Sequence, residues 1–125
     1  MISTVFSAPT ISISLSSKSP GIETTVNGQQ DVLTIETFGN IRHLYLHMSD
    51  GNDVVDATNL LTTRDAKFFG GEGDDSFEIE SVTARKLVVW TGDGNDTAEI
   101  ASSRSRRTTS LAMGEGDDVF DAIMT

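Results

Sequence analysis

The chain has 125 residues, nineteen Asp or Glu against nine Lys or Arg, and a formal net charge of −10. That length suits one domain with a modest core, and that charge argues against nucleic acid or an anionic membrane as partner. There is no cysteine, so a disulfide framework and a thiolate metal site are both excluded.

Residues 1–26 open the chain without a charged leader, and Ser and Pro interrupt their apolar runs, so no signal peptide is expected. No stretch approaches the roughly 20 apolar residues of a membrane span, and membrane insertion is not expected. Thr10-Ile11-Ser12-Ile13-Ser14-Leu15-Ser16 alternates apolar and polar, which predicts a strand. Lys18-Ser19-Pro20-Gly21 predicts a turn. Residues 1–26 are expected to form a capping segment or a degenerate first coil.

From residue 27 the chain repeats. Ser49–Asp56, Gly70–Glu78, Gly92–Glu99 and Gly114–Asp121 share the order acid, Gly, Asn or Asp, Asp, any residue, apolar, acid. Their central glycines, Gly51, Gly73, Gly94 and Gly116, recur at intervals of 22, 21 and 22 residues. Asn27-Gly28-Gln29-Gln30-Asp31 is a degenerate fifth copy, since Asp31 precedes Asp53 by 22. A motif returning at a fixed interval predicts an array of like units.

Each copy is followed by a short alternating run, with apolar positions at Leu33 and Ile35, Val55 and Ala57, Phe77 and Ile79, Ala98 and Ile100, Phe120 and Ala122. A variable turn and a second alternating run complete the unit. That run places Leu44, Leu46 and Met48, then Ala66, Phe68 and Gly70, then Leu87, Val89 and Thr91, then Thr109, Leu111 and Met113 on one face. Such alternation marks strands with one buried face, and equivalent residues one coil apart would sit about 4.8 Å apart. The expected fold is an all-β, right-handed parallel β-helix or β-roll, a solenoid of about four to five coils over 27–125.

The same indexing stacks Asp56, Glu78, Glu99 and Asp121 in a row that points outward, and it stacks Arg42, Arg64, Arg85 and Arg107 in a row of their own. Like charges at strand spacing repel, so the arginines are expected to offset an acid row or to be screened by solvent.

Ten carboxylates crowd the four loops: Asp50, Asp53, Glu72, Asp74, Asp75, Asp93, Asp96, Glu115, Asp117 and Asp118. Together with Gly51, Asn52, Gly73, Gly94, Asn95 and Gly116 they form the candidate metal-binding set. The residue types suit Ca2+, which takes about 6–8 oxygens from carboxylates and carbonyls. Glycines let the backbone turn through conformations that a Cβ forbids. With loops stacked, a cation has a place between successive loops. The alternative is a Gly-Asp turn in which Asp bonds its own backbone. An EF-hand does not fit, because Asp50-Gly51-Asn52-Asp53-Val54-Val55 turns apolar too soon.

Gly70-Gly71-Glu72-Gly73-Asp74-Asp75-Ser76-Phe77-Glu78 resembles the nonapeptide repeat G-G-x-G-x-D-x-U-x of RTX, or haemolysin-type, calcium-binding proteins. Thr91–Glu99 and Met113–Asp121 match apart from the first Gly, and Met48–Asp56 lacks the first two. The resemblance implies a calcium-dependent parallel β-roll in an exported bacterial protein, with Asp53, Asp75, Asp96 and Asp118 as side-chain ligands. RTX repeats follow one another every nine residues, whereas here one loop occurs per 21 or 22, which would confine calcium to one edge.

The remaining features carry less. His43 and His47 fall on the outward parity with no cysteine or histidine partner in other coils, which suits surface residues. Neither a Gly-x-Ser-x-Gly elbow nor a P-loop occurs, and acids that repeat in every coil do not form a single asymmetric catalytic pair. No enzyme activity is expected. Arg104-Ser105-Arg106-Arg107 is the only basic cluster and reads as a solvated turn. Phe69 and Trp90 share an outward position beside His47 and Ala112, and this face, like the solenoid ends, is expected to serve a protein partner or self-stacking. The expected function is a calcium-stabilised, secreted or cell-surface module of a larger protein, acting as a scaffold or adhesion unit. The competing expectation is a metal-independent structural solenoid that mediates assembly.

Overall fold

The computed structural model of the protein describes residues 2–6, 10–15, 22–26, 30–37 and 40–123, with side chains over 30–35 and 41–123. The turn expected at Lys18–Gly21 lies outside the described residues, as do 27–29 of the degenerate fifth motif.

The strands follow the chain as β1 (Ile2–Phe6), β2 (Thr10–Leu15), β3 (Ile22–Val26) and β4 (Val32–Thr37). Next come β5 (Asn40–Ile41), β6 (Leu44–Asp50), β7 (Val54–Thr58), β8 (Leu61–Thr62), β9 (Asp65–Glu72) and β10 (Ser76–Glu80). The last are β11 (Thr83–Asp93), β12 (Thr97–Ala101), β13 (Arg104–Ala112) and β14 (Val119–Ile123). One sheet runs β1-β3-β6-β9-β11, with β13 beyond β11 and the short β5 and β8 joined at the start of β11. The other runs β2-β4-β7-β10-β12-β14, and all these pairings are parallel. The chain is an all-β parallel solenoid.

The register is that of the sequence repeat. Leu44 pairs with Ala66, Ala66 with Leu87 and Leu87 with Thr109, while Val55, Phe77, Ala98 and Phe120 pair in turn across the second sheet. Residues two apart share a face, so these rows become ladders of side chains between the sheets, apolar up to the exposed Thr109 that ends the first. Leu33, Ile35, Leu44, Leu46, Met48, Phe68, Phe77, Ile79, Leu87 and Val89 are all fully or almost fully buried. β1 and β2 pair with β3 and β4 in the same two sheets, as a further coil does.

Two expectations are refined. The stretch read as a variable turn is a third, short side: Ile41, Leu60, Val82 and Ala84 are buried there beside Thr62 and Ser103. The corner before it turns through left-handed backbone at Asn59, Ser81 and Ser102, with φ of 53°, 56° and 50°. The last coil is the second. Phe120 occupies an inward position yet is 45% exposed, because among the described residues no further strand pairs with β14.

Candidate metal centre

Each Gly-Asp loop joins a strand of the first sheet to one of the second, so parallel register stacks the loops along one edge. Gly73 adopts φ of 127°, and a Cβ there would collide with the carbonyl oxygen of Gly51 below it. The loops therefore approach closely enough to bond through their backbones. The amides of Gly51, Gly73 and Gly94 donate to the carbonyls of Glu72, Asp93 and Glu115 at 2.8, 2.9 and 2.8 Å.

The second acidic position of each loop points inward. Asp31, Asp53, Asp75 and Asp96 are buried to 1–2% exposure. The amide of Asp31 donates to Oδ1 of Asp53 at 2.8 Å, Asp53 to Asp75 at 2.9 Å, Asp75 to Asp96 at 2.8 Å and Asp96 to Asp118 at 3.0 Å. The carboxylate thus bonds the preceding coil's backbone, not that of its own turn. The residue one position earlier does the reverse. Amides of Asp74, Asn95 and Asp117 donate to Oδ1 of Asn52, Asp74 and Asn95, at 2.8, 2.8 and 2.9 Å. Successive loops are laced in both directions, one row buried and the other exposed.

The buried row is electrostatically incomplete. Oδ2 of Asp31, Asp53, Asp75 and Asp96 is buried with no hydrogen-bond partner, and so is Oδ1 of Asp31, among the described residues. Burial raises the Asp53 carboxyl to about 6 and the Asp75 carboxyl to about 7. The amide bonds from Asp31 and Asp53 oppose the shift, and the neighbouring carboxylates of the row add to it. Asp31 is raised for the same first reason. The space around Asp75 is set by Gly70, where a Cβ would collide with Oδ2 of Asp75 and the carbonyl oxygen of Thr91. A buried carboxylate oxygen without a donor calls for a proton or a cation.

The residue set fits a hard cation in donor type: carboxylate and amide oxygens, glycine-opened carbonyls, no sulfur. Buried Oδ2 atoms are the oxygens not already engaged in the lattice of amide bonds. The outer carboxylates do not converge on them. Asp50, Glu72, Asp74, Asp93, Glu115 and Asp117 are exposed, and no group of three or more His, Asp or Glu gathers at one point among the described residues. The expected site residues thus divide into an inward row (Asp53, Asp75, Asp96, Asp118) and an outward one. Asp31 belongs to the inward row, and its spacing of 22 from Asp53 was the signal for it.

Elsewhere, Arg85 pairs with Asp65 at 3.1 Å, the one ion pair among the described residues. The arginine row does not bond the acid row of Asp56, Glu78, Glu99 and Asp121. Arg106 donates to the carbonyls of Thr62 and Thr63 at 3.3 and 3.0 Å. His47 is exposed and stacks on Phe69 at 4.8 Å, and Phe69 meets Trp90 edge-on at 6.0 Å. His43 is only partly exposed, with Nδ1 buried and without a partner among the described residues. Burial, then the nearby Arg42 and Arg64 guanidinium groups, lower its pKa. The chain matches no family model, no curated protein and no solved structure.

Proposed function

We propose that this chain is a calcium-stabilised β-solenoid module of an exported or cell-surface protein, working by binding and scaffolding and not by catalysis. The observation that carries this reading is the row of buried aspartates whose Oδ2 atoms have no donor among the described residues. Asp53, Asp75, Asp96 and Asp118 would hold the ion, with oxygens from the flanking loop residues 50–52, 72–74, 93–95 and 115–117. A bound Ca2+ supplies positive charge where buried carboxylates otherwise lack it. Extracellular modules bind calcium at about 10⁻⁴–10⁻³ M, so even weak sites fill outside the cell and couple export to folding. The repeat of the acids in every coil suits a structural role better than a catalytic one.

A second reading, a metal-independent structural solenoid, draws on a different observation. Oδ1 of Asp53, Asp75, Asp96 and Asp118 already accepts an amide, so the edge is laced without metal. Thermal unfolding by circular dichroism in EDTA, in calcium and in magnesium separates the two. A rise of many degrees with calcium and little with magnesium supports the calcium module. An unchanged curve leaves the plain scaffold.

A further inference from the structure

Each coil of the first sheet starts with an arginine and ends with an acid eight residues later: Arg42 and Asp50, Arg64 and Glu72, Arg85 and Asp93, Arg107 and Glu115. Parallel register turns this spacing into two opposed edges. The amide of Arg64 donates to the Arg42 carbonyl at 3.0 Å and that of Arg85 to the Arg64 carbonyl at 2.6 Å, so the arginines stack at one edge. Asp50 pairs with Glu72 and Glu72 with Asp93 at the other, and Asp93 bridges to Glu115. Arg42, Arg64, Arg107, Asp50, Glu72, Asp93 and Glu115 are exposed, and none has an ion partner among the described residues.

Between the edges the outer face mixes aromatic and basic side chains, with Tyr45, Lys67 and Val88 in one row and the Lys67 ammonium over the Tyr45 ring at 5.1 Å. His47, Phe69 and Trp90 form a row, with Trp90 53% exposed. A trough of about 370 Å³ runs beside it, floored by Gly71 and Gly92 and walled by Asp93. Charge and exposed aromatic surface in this arrangement mark an interaction surface.

We infer that this face binds the same face of a second copy, about a two-fold axis parallel to the solenoid axis. The charge gradient selects that axis. Rotation about it brings each arginine edge onto the partner's acid edge, on both sides at once. Rotation about an axis along the strands would set arginine against arginine and acid against acid. Both copies repeat at the strand spacing of about 4.8 Å, so an alignment at one coil holds at every coil. With the two-fold passing midway between the edges, Arg64 of one copy meets Glu72 of the other, and Val88 meets Trp90. The contact is isologous and closes as a dimer. Association is reversible and concentration-dependent.

Sedimentation velocity over a concentration series, at low salt and in EDTA, tests this. The expected result is a reversible monomer–dimer equilibrium that loosens at high salt. Arg64→Glu and Glu72→Arg should each weaken the dimer by about tenfold, and the double exchange within one chain should restore it. Both side chains are exposed, and circular dichroism confirms that the variants fold. Arg42→Glu with Asp50→Arg is the second pair if either fails. A monomer at every concentration overturns the inference. So does a double exchange that does not rescue, or association that Trp90→Ala abolishes while the charge variants leave it unchanged. The runs in EDTA count only where circular dichroism shows the chain folded without calcium, and are otherwise made in calcium, so their outcome is separate from that of the calcium-dependent melting experiment.

Discussion

The amide of Asp53 donates to Oδ1 of Asp75 at 2.9 Å, while Oδ2 of Asp75 is buried with no partner among the described residues. One carboxylate therefore does two different things. Its first oxygen ties adjacent coils together, and its second holds charge that the protein lattice does not neutralise. The division makes the roles of structure and of metal separable by mutation.

Asp75→Asn keeps an oxygen acceptor for the Asp53 amide and removes the buried charge. In EDTA at neutral pH this variant should melt no lower than the parent. Asp75→Ala also loses the acceptor and leaves a buried amide unpaired, a cost of about 1–3 kcal/mol. If calcium binds, both variants should show a smaller calcium-induced rise in melting temperature. Equal melting of Asn and Ala variants in EDTA would show that the amide bond contributes nothing.

The pH dependence of the metal-free protein has a definite sign. Asp75 is raised from 3.8 to about 7 and Asp53 to about 6, so the folded chain holds more protons than the unfolded one across that window. Stability must then fall as pH rises from about 4 to 7. Melting temperatures in EDTA should decline over that range, and Asp75→Asn should flatten the decline. Calcium, which competes with protons for the carboxylates, should stabilise more at pH 8 than at pH 5. Melting temperatures in EDTA that climb with pH would rule out a buried, uncompensated aspartate row.

The exposed row should matter less. Asn95 accepts the Asp117 amide at 2.9 Å and donates its own amide to Asp74. In Asn95→Ala, water can take over the freed amide, so the loss should be about 0.5–1.5 kcal/mol. Urea melts of Asn95→Ala beside Asp75→Ala measure the difference, which should favour the Asn95 variant.

The core offers an internal standard. Phe68 is fully buried between the sheets, and Phe68→Ala should cost about 3–5 kcal/mol, through lost burial and a cavity. Denaturant midpoints with and without calcium should fall by similar amounts, since Phe68 is not among the loop residues. A loss confined to the calcium-free protein would mean that core and loops are not separable.

Much of this fold is legible in the sequence, for a physical reason. Side chains alternate across a strand with period two, and parallel strands one coil apart place like residues in rows. Intervals of 22, 21 and 22 between Gly51, Gly73, Gly94 and Gly116, with Leu44, Phe68 and Val89 on one parity, therefore determined the solenoid and most of its interior. The third side was less legible because Ile41 and Val82 are single apolar residues between polar neighbours and Leu60 is followed by the exposed Leu61, so no run is long enough to show a period.

The site depended on geometry that spacing does not carry. Asp74 and Asp75 are neighbours of one residue type, yet Asp74 is exposed and Asp75 buried. Backbone angles in the loop and the room left by Gly70 send one carboxylate outward and the other inward. The bond each carboxylate makes reaches 21 or 22 residues away, to a coil that becomes its neighbour only once the chain has wound. Sequence alone determined which residues recur. Winding decided which of their oxygens are buried, which are already bonded, and which are left to meet a proton or a cation.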